Sequence, residues 1–203
     1  MKKVHNNAAR FRLPELSISK TRLIALIALL SALTNALMPL SIPITLLGVT
    51  TRIHVIQIPI LTAALGVGPI AGGLVGLIGA TSMVYSVTPP NPFIILYNGL
   101  LGFSAGLFYL LLRRRPLHIL VSQLAAVVGA YLIQVPFVWL LNTRVVGIPL
   151  PIAQIILVAL LLEDIASTLI VHPILYRTNL VERAKNTTAS QKISPTSSTT
   201  DEK

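Results

Sequence analysis

The chain has 203 residues, of which 54% are hydrophobic and 11% are charged, and its mean hydropathy is +0.80. About a quarter of the residues in a soluble domain are charged, so this composition excludes an ordinary soluble fold. The net charge of +10 does not indicate nucleic-acid binding, because the basic residues flank apolar runs instead of lining one folded face. The absence of cysteine excludes disulfides, thiolate chemistry and cysteine-ligated metals.

Apolar runs that can cross a bilayer fill most of the chain between Thr21 and Tyr176. A membrane-spanning helix needs about 20 apolar residues, with a range of about 17–25. We therefore predict an all-α integral membrane protein in which six transmembrane helices form a compact bundle. The predicted spans are residues 21–40, 52–66, 69–87, 92–112, 118–142 and 150–176.

The basic residues set the predicted orientation. Nearly all of them fall in three clusters, at residues 2–22, 113–115 and 177–203. Short basic loops stay on the cytoplasmic side, and six spans place all three clusters there. If the short second run, which contains Pro59, were re-entrant, two clusters would lie outside. We therefore predict a multi-pass plasma-membrane protein with cytoplasmic N- and C-termini.

Three segments follow from this layout. Residues 1–19 form a polar, basic cytoplasmic N-tail, and residues 20–177 form the membrane domain. Residues 178–203 are rich in Ser, Thr and Lys and lack apolar periodicity. This composition predicts a disordered cytoplasmic C-tail.

Polar side chains within the spans concentrate in the outer half of the predicted bundle. Small-molecule sites combine apolar walls with a few convergent polar groups, so we predict an outer-facing substrate pocket. Hydrogen bonds between helices and an aromatic belt at the interface are the alternative interpretation. The predicted substrate-binding residues are Asn35, His54, Gln57, Tyr85, Tyr97, Asn98, Gln134, Asn142, Gln154, Glu163 and Asp164.

Glu163 and Asp164 form the only carboxylate pair within the spans. Neighbouring helix positions are about 100° apart, so the two side chains point in different directions. They could pair with a cationic ligand group or form a proton-linked site; alternatively, they are protonated or pair with His172 or another helix. Arg52 and Arg144, at the outer edge, favour an anionic ligand instead, so the residues do not select one ligand charge.

Small residues recur at four-residue spacing in three spans, which lets helix backbones approach closely. They are Ala28, Ala32 and Ala36 in the first span, Gly68, Gly72 and Gly76 in the third, and Gly99, Gly102 and Gly106 in the fourth. The glycine faces predict packing within the bundle. The alanine face fits either internal packing or an external docking surface.

No sequence pattern indicates catalysis. The four histidines are scattered without an i, i+4 pair, and no HExxH, GxSxG or Walker A motif is present. We therefore predict that the protein is not an enzyme and uses neither a cofactor nor a metal.

Three segments carry a resemblance to a known family. They are ALLSA at residues 28–32, LGVGPIAGGLVG at residues 65–76 and PFIILYNGLLG at residues 92–102. With the six-span pattern of residues 20–177, they resemble the S components of energy-coupling factor (ECF) transporters. The resemblance implies the substrate-binding subunit of an ATP-driven importer, which captures a vitamin or related micronutrient near the outer face.

The resemblance also implies the partners. A transmembrane coupling subunit would dock on the first-helix stripe, at Ala28, Ala32 and Ala36, and two cytoplasmic ATPase subunits would supply the energy. The residues leave the ligand open as a small polar or heterocyclic micronutrient. Three other functions remain possible: a membrane scaffold resembling the cell-shape protein MreD, a self-sufficient transporter or channel, and an intramembrane enzyme.

Overall fold

The structure is a computed structural model that describes residues 19–46, 49–85, 90–113 and 117–178. The predicted end of the third span at residue 87 lies outside these residues, and so do the predicted tails except for Ser19, which caps α1, and Thr178, the last residue of α6. The elements in chain order are α1 (Lys20–Leu37), β1 (Ser41–Leu46), β2 (Val49–His54), α2 (Gln57–Gly66), α3 (Pro69–Gly79), a 3₁₀ segment (Thr81–Tyr85), α4 (Phe93–Leu112), α5 (Ile119–Arg144) and α6 (Leu150–Thr178).

The described chain is mostly helical, and four of its helices are long and apolar enough to cross a membrane. These are α1, α4, α5 and α6. Two shorter apolar stretches, α2 and α3 with the 3₁₀ segment, pack among them. This architecture agrees with the predicted all-α membrane class.

The predicted start of the second span is wrong, because residues 52–54 belong to a β-hairpin and not to a helix. β1 and β2 pair antiparallel, with Ser41 opposite His54 and Pro43 opposite Arg52. The helix begins at Gln57, and Pro59 lies in its first turn, where a missing N–H is tolerated. The 10 residues of α2 span about 15 Å, roughly half of a bilayer core of about 30 Å.

Glycine faces bring α3 and α4 into backbone contact. A Cβ atom added at Gly72 would meet the Gly102 carbonyl at 2.5 Å, and one added at Gly106 would meet the Pro69 backbone at 2.7 Å. Only glycine permits so close an approach. The internal packing predicted for these faces is therefore confirmed for five of the six glycines, and Gly68, which precedes α3, is the exception because an added Cβ atom there meets nothing.

The two ends of the bundle differ in character. At one end, apolar side chains of α2, α4, α5 and α6 form a closely packed cluster, including Leu65, Leu101, Val127 and Val171. The other end is enclosed by the end of α1, the starts of α2, α4 and α6, and the end of α5. A cavity lies at this second end, and residues of the hairpin contribute to its lining.

Candidate substrate cavity

A cavity of about 710 Å³ lies at the hairpin end of the bundle. Cavities that hold small organic ligands measure about 300–1,000 Å³. One side is apolar, with Ile152, Ile155, Ile156, Ala159 and Leu160 from α6. The polar or ionisable lining residues are Ser41, Arg52, His54, Gln57, Asn91, Tyr97, Asn98, Gln134, Asn142 and Glu163.

Two buried glutamines join neighbouring helices to α4 along the cavity wall. Gln57, at the start of α2, donates from Nε2 to Asn98 Oδ1 at 3.1 Å, and Asn98 Nδ2 donates to the Ile94 carbonyl at 2.9 Å. Gln134 of α5 donates from Nε2 to the Tyr97 carbonyl at 3.2 Å. Both glutamines are 2% exposed. These bonds fix polar groups of three helices around one wall.

Asn142 connects the cavity wall to two loops. Its Oδ1 accepts from Asn91 Nδ2 at 2.9 Å and from the Tyr97 hydroxyl at 3.4 Å. Its backbone carbonyl accepts from the Ile148 N–H at 2.8 Å, in the loop between α5 and α6. Asn91 in turn caps the start of α4 by accepting from the Phe93 N–H at 3.0 Å. One buried side chain therefore orders both chain segments that border this part of the cavity.

Glu163 lines the cavity from α6 and is 3% exposed. The backbone N–H of His54 and the side chain of Gln57 both face its carboxyl group. Glu163 thereby links α6 to the end of β2 and to the start of α2. It is the ionisable group of α6 that faces the cavity.

The hairpin contributes two basic side chains, both outside the helices. Arg52 donates from Nη1 to Ser41 Oγ at 3.2 Å across the two strands. Burial lowers the pKa of the His54 imidazole; a hydrogen bond to the Met38 backbone opposes this shift, and the nearby Arg52 guanidinium adds to it. Burial is the largest of these effects, so the pKa of His54 lies below its ordinary value of 6.5.

We expect the stability of the protein to fall as the pH is lowered from about 7.5 to about 5.5, with a smaller fall in His54→Gln. Because the folded-state pKa of His54 is depressed, the unfolded chain takes up this proton first. The stability contributed by neutral His54 is present above pH 6.5 and is lost as the pH falls below that value. Melting midpoints of the detergent-purified protein test this. An equal decrease in both proteins would contradict it.

Seven of the eleven predicted binding residues line this one cavity. They are His54, Gln57, Tyr97, Asn98, Gln134, Asn142 and Glu163. The fold itself brings these side chains together, because they lie on the elements that enclose the cavity. That they bind substrate remains a prediction.

The structure places the other four predicted residues away from the cavity. Asn35 joins α1 to the 3₁₀ segment, accepting from the Ser82 N–H at 3.0 Å and from Thr81 Oγ1 at 3.1 Å. Tyr85 is 82% exposed, and Gln154 lies on the exposed face of α6.

Asp164, the fourth of these residues, is 1% exposed and faces the side of Tyr131 on α5. Neither of its carboxyl oxygens has a hydrogen-bond partner in the described part of the chain. The neighbouring Glu163 faces the cavity instead. The two carboxyl groups therefore belong to different surroundings, as their adjacent helix positions predicted.

Several lining residues were not among the predicted binding residues. Arg52 was predicted only as a cation at the outer edge that favours an anionic ligand, and Asn91 lies in a Pro-Pro-Asn-Pro loop outside the predicted spans. Met38, Met83 and the apolar residues of α6 carry no sequence signal that separates them from lipid-facing positions. The only sequence feature that could have indicated Asn91 is its position between two prolines, directly before a predicted helix.

A second, shallower groove runs along α1 and α3. Its lining includes Ala28 and Ala32 of α1 and Leu74 and Ile78 of α3. Ala28, Ala32 and Ala36 are all exposed, whereas the opposite face of α1 buries Ile27, Leu30, Ser31 and Thr34. Internal packing therefore does not explain the alanine stripe.

Comparison with known proteins identifies the family. A family model for the S component of ECF-type riboflavin transporters matches residues 18–179. The chain belongs to this family. A solved structure of the S component of a bacterial ECF transporter shares the fold of this S component, with a TM-score of 0.62 at 19% identity, over 78% of this chain and 96% of that chain. A comparison with curated proteins finds no match.

Membership confirms the resemblance carried by residues 20–177. The S component is a substrate-binding subunit of an ECF transporter and a multi-pass membrane protein. S components associate with a module of transmembrane and ATPase subunits, and the family is not a known enzyme family.

Proposed function

We propose that this S component captures riboflavin at the outer face of the plasma membrane for ATP-driven import. The observation that carries the proposal is a single cavity of about 710 Å³ that combines an apolar wall with buried amides, in a chain of the riboflavin S-component family. The proposed binding residues are the seven that line it: His54, Gln57, Tyr97, Asn98, Gln134, Asn142 and Glu163.

The chemistry of riboflavin fits these surroundings. Its isoalloxazine ring is flat and has an apolar dimethylbenzene end, which suits the wall of Ile152, Ile155 and Ile156. Its pyrimidine edge and its ribityl hydroxyls need hydrogen-bond partners, which the buried amides of α2, α4 and α5 supply. A ligand without extended apolar surface would leave the isoleucine wall uncovered.

We expect riboflavin to raise the melting temperature of the purified S component, while thiamine and biotin do not. A ligand that binds only the folded state adds about 2.7 kcal/mol of stability at a hundredfold excess over Kd. The full chain in detergent is titrated with each vitamin, and riboflavin binding is checked by equilibrium dialysis. Stabilisation by another vitamin would contradict the choice of riboflavin, and no stabilisation by any vitamin would contradict the capture role.

The proposed partners are a transmembrane coupling subunit and two cytoplasmic ATPase subunits. The coupling subunit would dock on the exposed Ala28, Ala32 and Ala36 face of α1, which is separate from the cavity. In this arrangement both termini lie in the cytoplasm and the hairpin faces outward. The clusters of basic residues near the two termini support this orientation.

A further inference from the structure

Backbone carbonyls fix the orientation of the amides along the cavity wall. Asn98 Nδ2 donates to the Ile94 carbonyl at 2.9 Å, and a carbonyl can only accept. Asn98 must therefore present Oδ1 to Gln57, which donates to it from Nε2 at 3.1 Å. This leaves Gln57 Oε1 as the free end of the amide.

Gln134 is oriented by the same reasoning. Its Nε2 donates to the Tyr97 carbonyl at 3.2 Å, so its Oε1 points elsewhere. Gln57 Oε1 and Gln134 Oε1 are both buried, and neither has a hydrogen-bond partner among the residues that the structure describes. The two glutamines bond to adjacent positions of α4, Asn98 and Tyr97, and both line the cavity. We call these two oxygens the acceptor pair.

Two of the donors that line the cavity already make bonds within the protein. The Tyr97 hydroxyl and Asn91 Nδ2 both donate to Asn142 Oδ1, and the Gln57 side chain also faces the Glu163 carboxyl group. A buried acceptor without a partner costs about 1–3 kcal/mol. A ligand that brings O–H or N–H groups to this wall removes that cost.

We infer that the ribityl chain of the flavin, and not the pyrimidine edge of its ring, binds the acceptor pair of Gln57 and Gln134. This inference rests on the proposed function. Each ribityl hydroxyl can donate a hydrogen bond. The pyrimidine edge has a single N3–H between two carbonyls, so at least one carbonyl would face an acceptor of the protein, which is unfavourable. The polyol is therefore the part of the ligand that donates to the acceptor pair.

Lumiflavin tests the inference, because it has the same ring with a methyl group in place of the ribityl chain. Kd is measured for both flavins by equilibrium dialysis with the full chain in detergent. We expect lumiflavin to bind at least about 100-fold more weakly, at about tenfold for each lost hydrogen bond. Equal affinities for riboflavin and lumiflavin would overturn the inference and leave the proposed function intact. Binding of neither flavin would overturn both.

Two variants locate the polyol. Gln57→Met and Gln134→Met remove the acceptors at similar side-chain size, and each is expected to weaken riboflavin binding about tenfold. Both variants also lose the Nε2 bonds to Asn98 and to the Tyr97 carbonyl, so lumiflavin affinity reports this shared structural effect and is expected to fall by clearly less than riboflavin affinity. Gln154→Met is the matched control, since Gln154 is exposed on α6 and does not line the cavity. Equal weakening of the two flavins would mean that the glutamines contact the ring, which overturns the inference.

Discussion

Replacing Gly76 by alanine is expected to lower the free energy of unfolding by about 1–3 kcal/mol and to weaken ligand binding. A Cβ atom at Gly76 would overlap the backbone carbonyl of Asn98 on α4, and no side-chain rotation relieves a contact with backbone. α4 would have to move away from α3, and Asn98 and Tyr97 would move with it. Chemical denaturation in detergent measures the first effect, and the riboflavin Kd measures the second.

Gly129→Ala on α5 is the matched control for this substitution. There an added Cβ would meet only ring atoms of Phe108, at 3.1–3.6 Å, which a small side-chain adjustment accommodates. We expect little change in stability or affinity in this variant. Wild-type stability and affinity in Gly76→Ala would show that the close approach of α3 and α4 is not required.

The long helices were predictable because each is an apolar run bounded by charge or proline. α4, α5 and α6 begin and end within two residues of the predicted spans. α1 ends at Leu37, three residues before the predicted boundary, because the chain turns at Met38 and Pro39. Hydropathy alone is enough to predict these long helices, since a bilayer requires long apolar segments to cross it.

The hairpin was not predictable by the same means. The predicted spans left residues 41–51 between the first and second helices and placed residues 52–54 in the second helix. The sequence of residues 41–54 contains β-branched residues that favour strands, but Pro43 and Arg52 are unfavourable in a central strand. An isolated two-stranded pair of this kind tolerates both. The stability of such a hairpin depends on tertiary contacts with α6, which no local pattern reports.

Depth in the membrane predicted where the cavity residues lie along their helices, but not which face of the helix they occupy. Gln134 and Gln154 were both predicted as pocket residues in the outer half of the bundle, yet only Gln134 lines the cavity. Lipid and the bundle interior are both apolar, so the sequence does not distinguish the two faces of α6 by hydrophobicity. For the same reason, the sequence did not show that Glu163 faces the cavity whereas Asp164 lies beside Tyr131.

Replacing Ala32 by leucine is expected to reduce riboflavin uptake by the assembled transporter by about fivefold or more, while the Kd for riboflavin is unchanged. Ala32 is exposed in the groove between α1 and α3, where small side chains let a partner helix approach closely. Overpacking such a contact costs about 1–3 kcal/mol, which corresponds to about 5–150-fold in an association constant. Uptake is measured in proteoliposomes that contain the coupling and ATPase subunits, and binding is measured with the S component alone.

Ala166→Leu on α6 provides the matched control, since Ala166 is also exposed but lies outside the α1–α3 groove. We expect this variant to assemble and transport like the wild type, because lipid accommodates an additional leucine. Equal loss of uptake in both variants would indicate a general effect of added bulk. Weaker riboflavin binding in Ala32→Leu would contradict a docking role, because Ala32 does not line the cavity and the change would then have reached the substrate site through the bundle.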